Sequence, residues 1–195
     1  MMTETQISLF NETLMLNEKI NMKSIKTKIE QFIRIIRKFI NTVIEKLFQK
    51  IREIKRKFKK NKFVICSYDI NKYLKIAKYI EINIDTYFRR NASHDEFLDL
   101  YDKIESQSNN SAKHLHNYSF SEFDKELEQM EKFVKILQRR YEDLAADAEK
   151  IKNNLITDGI DRYQTYVSTK HCYDILIKQV ILIITNCKKD EKKRK

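Results

Sequence analysis

Residues 24–60 read SIKTKIEQFIRIIRKFINTVIEKLFQKIREIKRKFKK, and this stretch decides the fold class. Its apolar residues recur every three or four positions, which is the repeat of one face of an α-helix. At about 1.5 Å of rise per residue, the stretch predicts a single amphipathic helix roughly 55 Å long, called the arm helix below. The central apolar residues form what we call the apolar stripe: Ile25, Ile29, Phe32, Ile36, Phe39, Ile40, Val43, Leu47 and Ile51.

The side of the arm helix opposite the stripe is rich in Lys and Arg. Residues 23–62 hold 15 basic and 3 acidic residues, a net charge of +12, while residues 63–187 carry −3 and residues 188–195 carry +4. This one-sided charge favours an acidic partner: nucleic acid, an anionic membrane surface or an acidic protein face. The candidate contacts are called the basic face: Lys26, Lys28, Arg34, Arg37, Lys38, Lys46, Arg52, Lys55, Arg56, Lys57, Lys59 and Lys60.

Composition favours helices throughout. The chain has 195 residues, of which 42% are hydrophobic, but only one Gly and no Pro. Tight turns between strands and phosphate-cradling loops usually need those residues, so their scarcity argues against sheets and against most nucleotide-binding enzymes. The three cysteines are unpatterned and odd in number, which indicates free thiols in a reducing compartment.

The chain divides into three parts by charge and periodicity. Residues 1–62 are an N-terminal leader plus the arm, residues 63–187 a helical body, and residues 188–195 a basic tail. In the body, Asp69 is expected to cap a helix that runs to Arg90, and Ser93 to cap the next. Residues 63–66 resemble a strand but have no evident partner, so they are interpreted as a linker or a buried turn. Residues 106–117 are interpreted as a loop.

A heptad pattern dominates the second half of the body. It starts after Ser121, paired with Asp124 as a capping box, and its apolar members are Phe123, Leu127, Met130, Val134, Leu137, Tyr141, Leu144, Ala148, Ile151 and Leu155. Gly159 is expected to be a left-handed C-cap, after which residues 160–186 return as a second helix. The β-branched residues 180–185 would also suit a strand. The sequence therefore predicts an all-α helical bundle with a long antiparallel helical hairpin and an N-terminal basic amphipathic helix.

Side chains that could carry chemistry are scattered. His114, His116, His171 and Cys172 lack the spacing of a zinc site. Cys172 and its neighbour His171 could suggest a thiol nucleophile with a histidine base, but adjacent residues of a helix point about 100° apart and so do not face each other. The carboxylates Glu131, Asp143 and Asp147 are expected on a solvated face of the heptad helix. We therefore expect a protein that is not an enzyme and that has neither a metal site nor a cofactor.

Targeting signals are also lacking in the sequence. The N-terminus does not show the charged and apolar regions of a secretory signal, and the longest charge-free run of the arm helix, residues 39–44, is far short of the ~20 residues that span a bilayer. The expected location is a host cytoplasm or a virion.

The N-terminal third resembles small helical proteins that large tailed bacteriophages encode near their head genes. The resemblance rests on Leu14-Met15-Leu16-Asn17-Glu18 followed by the Ile-, Phe-, Lys- and Arg-rich arm helix. It implies a non-enzymatic, head-internal virion component packaged with DNA. Such proteins are often cleaved by a prohead protease after Leu-x-Glu or Ile-x-Glu, a pattern that Leu16-Asn17-Glu18 and Ile51-Arg52-Glu53 match.

The resulting hypothesis is a structural or packaging protein whose basic face contacts nucleic acid or an acidic virion protein. The alternative is a protein that lies on anionic membranes with the apolar stripe facing the lipid. A buried stripe would favour the first hypothesis, and an exposed stripe the second. The heptad face is also compatible with a homo-oligomer, and the sequence leaves both the oligomeric state and the cleavage of the leader open.

Overall fold

The computed structural model describes residues 25–153 and 159–189, and the protein is predominantly helical, as predicted. The arm helix comprises α1 (Ile25–Phe39), a π-helical turn (Ile40–Ile44) and α2 (Glu45–Phe58). A small sheet of three strands accompanies the helices, which the all-α prediction did not include. The remaining elements are β1 (Phe63–Tyr68), α3 (Ile70–Arg89), α4 (His94–Lys103), a π-helical turn (Ile104–Asn109), α5 (Asn110–Ala112), β2 (Lys113–Ser119), α6 (Phe120–Asn153), α7 (Gly159–Thr185) and β3 (Cys187–Lys189).

The π-helical turn in the arm helix has a cause in the apolar spacing. Around it, apolar residues repeat strictly every four positions, as in the series Ile36, Ile40, Ile44 and Phe48. In an α-helix this spacing rotates the stripe by about 40° at each repeat. The wider π turn, closed by a hydrogen bond from the Glu45 N–H to the Ile40 carbonyl, removes that drift. All four of these residues consequently stay buried.

The sheet overturns two predictions about loops. Residues 63–66 were interpreted as a linker or a buried turn but belong to β1, the central strand, which pairs antiparallel with β2 on one side and with β3 on the other. Residues 106–117 were interpreted as a loop but form most of the second π-helical turn, α5 and part of β2. β2 is a largely exposed edge strand of sequence KHLHNYS, and β3 has only three residues. Neither partner has the alternating apolar pattern from which a strand is predicted.

Helix caps follow the sequence at two of the four predicted positions. Asp69 accepts a hydrogen bond from the Lys72 N–H, and Ser93 forms a capping box with Glu96, as expected. The predicted box at Ser121 is wrong, because Ser119 and Glu122 exchange the capping hydrogen bonds before α6. Gly159 is the first residue of α7, so its predicted role as a left-handed C-cap is wrong as well.

The left-handed cap lies instead after α3. Asn91 has a φ of 55°, and its N–H donates to the Phe88 carbonyl, while the Ala92 N–H donates to the Tyr87 carbonyl. This pair of bonds is a Schellman motif. Asn is tolerated there because its short polar side chain makes local hydrogen bonds, and its amide oxygen accepts from Arg162 and Thr165 of α7.

One hydrophobic core joins the arm helix to the body. The nine stripe residues belong to the same cluster of buried side chains as α3, α6, α7 and the sheet. The heptad positions of α6 from Phe123 to Ala148 are buried too, and Ile151 is half-buried, whereas Leu155 lies outside the described residues. The helix α7 extends through residues 180–185, so the alternative of a strand there is wrong.

An ion pair is buried in the middle of this core. The Lys170 ammonium is 2.7 Å from Asp174 Oδ2 one turn along α7, and the Tyr141 hydroxyl of α6 donates to Asp174 Oδ1 at 2.7 Å. Lys170 Nζ also lies 4.7 Å from the centre of the Phe39 ring in the arm helix. Partner groups on three helices therefore surround these two charges, and these contacts tie the arm helix to α6 and α7.

Candidate functional site

The basic face lies on the solvent side of the arm helix. Ten of its twelve residues are exposed, while Lys28 and Lys55 are half-buried. The helical repeat explains this arrangement, because the apolar stripe occupies the opposite side and is turned into the core. The stretch contributes few carboxylates of its own, namely Glu30, Glu45 and Glu53, so the exposed side of the arm helix is strongly positive.

Two residues of the basic face form ion pairs between the arm helix and α6. Lys55 Nζ lies 2.7 Å from Asp124 Oδ1 and 3.3 Å from Glu128 Oε1, and Arg37 Nη2 lies 3.5 Å from Glu149 Oε2. The hydrogen bond to Asp124 raises the pKa of Lys55, partly offset by burial. Since these cations already have protein carboxylates as partners, they are poorer contacts for an external anion.

Eight other cations of the basic face are exposed and have neither an ion pair nor a ring contact with any residue in the described part of the chain. They extend along the full length of the arm helix and just past its end. Unpaired surface cations keep their full attraction for a polyanion, because no internal pair has to be broken first. These residues are Lys26, Arg34, Lys38, Lys46, Arg52, Arg56, Lys59 and Lys60.

The apolar stripe is not available as a surface. Its residues have exposed fractions between 0% and 9%. Phe39 packs against Tyr141 with ring centroids 4.9 Å apart, and Phe32 lies 6.1 Å from the rings of both Tyr163 and Tyr166. The aromatic residues of α6 and α7 thus occupy the face that a membrane-surface helix would have to turn toward lipid.

The structure adds cations that the sequence-based list of the basic face did not include. Lys50 and Lys62 are exposed residues of the same stretch. In the sheet, Lys188 is paired with Ile65 and Lys189 with Val64, so β3 carries two exposed cations to the strand that directly follows the arm. The sequence does show a basic tail that begins at Lys188, but the position of these two lysines beside β1 depends on a strand pairing that the sequence does not reveal.

Helix α6 contributes further cations beside the arm helix. Glu128, which contacts Lys55, is followed seven and eleven residues later by the exposed Lys135 and Arg139. At these intervals each residue lies within about 20° of Glu128 around the helix axis. Lys135 and Arg139 therefore lie on the side of α6 that borders the arm helix, and they widen the positive surface.

The residues considered for catalysis do not assemble into a reactive site. Cys172 is fully buried, and burial raises the pKa of its thiol, which disfavours the reactive thiolate. The half-buried His171 ring packs edge-on against Tyr101, with centroids 4.7 Å apart, and burial lowers its pKa. His114 and His116 lie on β2, where the His116 ring is 4.1 Å from that of Tyr118.

A cleft of about 500 Å³ is lined by residues of α3, α6 and α7. Arg140 at its edge is 2.5 Å from Glu81 Oε1 and 3.0 Å from Asp85 Oδ1, and Arg162 is 3.1 Å from Asp147 Oδ2. The carboxylate of Asp147 also accepts from the Tyr166 hydroxyl. Asp143 lines the same cleft, whereas Glu131 is a half-buried residue elsewhere on α6. The charges of these arginines are thus used within the protein.

The described residues 25–153 and 159–189 contain no group of three or more His, Cys, Asp or Glu side chains that could hold a metal ion. None of their helices combines the length and the apolar character that crossing a membrane requires.

Comparison with known proteins does not assign the chain to a family: no family model, no curated protein and no solved structure matches it.

Proposed function

We propose that this chain is a non-enzymatic structural or packaging protein that binds nucleic acid through its basic face, without reading the base sequence. The observation that carries the proposal is the division of the arm helix into two sides. Its apolar side is buried in the core, while its other side presents eight exposed cations with no ion pair among the described residues. A surface of this kind suits a partner with a dense, repeated negative charge.

The dimensions of the arm helix support a duplex or a long single strand as the partner. Residues 25–58 extend about 50 Å, and duplex DNA carries one charge per ~1.7 Å of its axis. The sugar–phosphate backbone of DNA is curved, so a straight protein helix follows it over only part of that length. We therefore expect roughly six simultaneous phosphate contacts. Lys135 and Arg139 on α6, and Lys188 and Lys189 on β3, are further contacts at its margins.

The membrane-surface alternative requires an exposed apolar surface, which the arm helix does not offer. Interfacial helices bind by burying apolar area in lipid, at about 25 cal/mol per Å², with charge as a second contribution. Here the apolar area is used within the protein, since every stripe residue is at most 9% exposed. Only electrostatic adsorption to anionic lipid would remain, which is weaker and more sensitive to salt.

We propose further that the protein belongs among the head-internal virion components that its N-terminal third resembles, and acts in the virion or the host cytoplasm. Of the two protease-like tripeptides, Ile51-Arg52-Glu53 lies inside α2 with Ile51 buried. A protease binds its substrate as an extended chain, so this site is protected in the folded protein. Cleavage would fall after Leu16-Asn17-Glu18, which lies outside the described residues.

The scaffold for the arm helix is proposed to be a bundle built on an antiparallel hairpin of α6 and α7. As α6 advances from Tyr141 to Asp147, its partners on α7 move back from Asp174 to Arg162. This order of contacts supports the hairpin, although the residues that join the two helices, 154–158, lie outside the described part. The division of the chain at residue 62, the coiled-coil character of the heptad and self-association stay predictions.

The test is a binding titration of the full chain against two labelled duplexes of unrelated sequence over a range of salt concentrations. The proposal predicts equal affinities and a fall of log affinity with log salt with a slope of about −5. It would be wrong if binding at low salt were undetectable, or if one duplex were bound many times more tightly than the other.

A further inference from the structure

Two of the three cysteines lie directly opposite each other in the sheet. Cys66 of β1 and Cys187 of β3 are Cα partners in the antiparallel pairing of these strands. Directly opposed residues of antiparallel strands have Cα atoms about 4.5 to 5.5 Å apart, and disulfides form across Cα separations of about 4.4 to 6.8 Å. The backbone therefore already holds these cysteines at a distance that a disulfide can bridge.

The side chains of this pair also point to the same place. Both are buried, with exposed fractions of 0% for Cys66 and 6% for Cys187. The Cys187 thiol donates to the Ile183 carbonyl, with sulfur and oxygen 3.5 Å apart. Side chains of directly opposed residues in antiparallel strands lie on the same face of the sheet, so these two thiols face each other. A hydrogen bond with Cys187, together with burial, raises the pKa of the Cys66 thiol.

We propose that Cys66 and Cys187 form an intramolecular disulfide when the protein meets an oxidising thiol–disulfide partner such as glutathione disulfide. The thiols are free in this structure, which represents the reduced form. The inference is independent of the nucleic-acid function, because it rests only on the strand pairing and on the burial of both side chains on the same face of the sheet.

The reaction balances without any group beyond that oxidant. The thiolate of Cys187 attacks one sulfur of glutathione disulfide, which forms a mixed disulfide and releases one glutathione thiolate. The Cys66 sulfur then loses its proton and attacks the Cys187 sulfur, which expels the second glutathione. Two protein thiols are oxidised to one disulfide, and one glutathione disulfide is reduced to two glutathione molecules.

Cys187 is the first attacker because its strand is the easier one to open. β3 has three residues, two of which, Lys188 and Lys189, are exposed, and it pairs with β1 on one side only. Local opening of such a short edge strand exposes Cys187 without unfolding the core. Cys66 is in the central strand and becomes reachable only through its partner.

The bond would fasten the C-terminal strand and its cations next to the arm. It would also close a long loop, since the cysteines are separated by most of the chain, and closing a long loop restricts the unfolded state strongly. For a protein of this size, the melting temperature of the oxidised form is expected to exceed that of the reduced form by roughly 5 to 10 °C.

The experiment exposes the full chain, at low concentration, to glutathione disulfide or to reduced glutathione, and then unfolds it in denaturant and alkylates the remaining thiols. Trypsin cleavage after Lys and Arg places the three cysteines in different peptides: residues 63–72, 171–178 and 179–188. The proposal predicts that mass spectrometry without reduction finds the first and third peptides joined, with Cys172 alkylated. Melting curves of both samples give the accompanying shift.

Cys172→Ser is the matched control and should still form the bond and gain the melting shift. Cys66→Ser and Cys187→Ser should gain no shift. Should a serine variant fail to fold, the peptide map of the unmodified chain still decides the question. A map in which all three cysteines are alkylated, in which Cys172 is cross-linked, or in which Cys187 stops at the glutathione adduct would overturn the proposal.

Discussion

Replacing Arg52, Arg56 and Lys59 together by Gln perturbs the basic face without touching the core. Their spacing of four and three residues puts them in one row along the last turns of α2 and its C-cap, Lys59. All three are exposed, and none has an ion pair with a described residue. Gln keeps the length and helix propensity of these side chains, so the helix should stay intact.

The size of the effect follows from counterion release. Each phosphate contact contributes about 0.9 to the slope of log affinity against log salt, so three lost contacts should change a slope of about −5 to between −2 and −3. At about 0.1 M salt each contact is worth roughly eightfold in affinity, and the triple variant should bind duplex DNA about 500-fold more weakly.

The matched control is Lys72→Gln, Lys75→Gln and Lys103→Gln combined. It removes the same net charge from exposed residues of α3 and α4, helices that pack mainly on α6, α7 and the second π-helical turn. This control should lose only a few-fold in affinity. Fluorescence anisotropy of a labelled duplex measures both variants. If both variants lose equal affinity, only total charge matters, and the basic face is not the surface that contacts DNA.

Four further outcomes follow from the fold. Lys170→Met leaves Asp174 as an unpaired buried charge and should cost about 3–5 kcal/mol in urea unfolding; most of this should return when Asp174→Leu is added, and a neutral single change would contradict the burial of the pair. Leu137→Asp buries a charge in the heptad face and should destabilise by several kcal/mol, whereas an unchanged melting temperature would contradict its packing. Deleting residues 1–62 removes fourteen buried apolar side chains, so the remaining chain should unfold or aggregate; a folded truncation, judged by circular dichroism, would contradict the shared core. Burial raises the pKa of seven tyrosines in the folded protein, so its stability should be retained below pH ~10 and lost at higher pH, by about 1.4 kcal/mol per pH unit for each tyrosine ionised in the unfolded chain. Tyrosinate absorbance and unfolding curves recorded together measure this loss, and ionisation of these tyrosines below pH ~10 without unfolding would contradict their burial.

The helical part of the fold could be predicted because its periodicity is strong. The stripe from Ile25 to Ile51 and the heptad from Phe123 to Ala148 are long and regular, and both are buried in the structure. The caps at Asp69 and Ser93 followed from local hydrogen-bonding chemistry. In these stretches the helical repeat itself determines which residues are buried and which are exposed.

The sheet could not be predicted because its pairing is non-local. β1 alternates buried and half-buried residues, but β2 is polar and exposed, and β3 is too short to have a pattern. The same pairing brings Lys188 beside Ile65 and opposes Cys187 to Cys66. The buried Lys170 was missed for a different reason: a lysine four residues before an aspartate normally indicates an exposed pair.

The basic face itself was predictable as a set of residues but not as a set of free cations. Helical spacing separates Lys and Arg from the stripe, and the structure agrees. Helical spacing alone could not reveal that Arg37 and Lys55 have carboxylate partners on α6, because those ion pairs depend on how two helices distant in sequence pack together. Counting the cations that remain unpaired is therefore a structural result, and the expected salt slope depends on it.

Binding of nucleic acid through the basic face can be tested by offering the full chain duplex DNA and anionic phospholipid vesicles together, at equal total phosphate and about 0.1 M salt. Sedimentation of the vesicles measures how the chain distributes between the two. We expect the chain to stay with the DNA, and Arg52→Gln, Arg56→Gln and Lys59→Gln combined to release it, since only charge holds it there. Sedimentation of most of the chain with the vesicles, persisting at high salt, would mean instead that the apolar stripe leaves the core to enter lipid, and nucleic-acid binding through the basic face would be wrong.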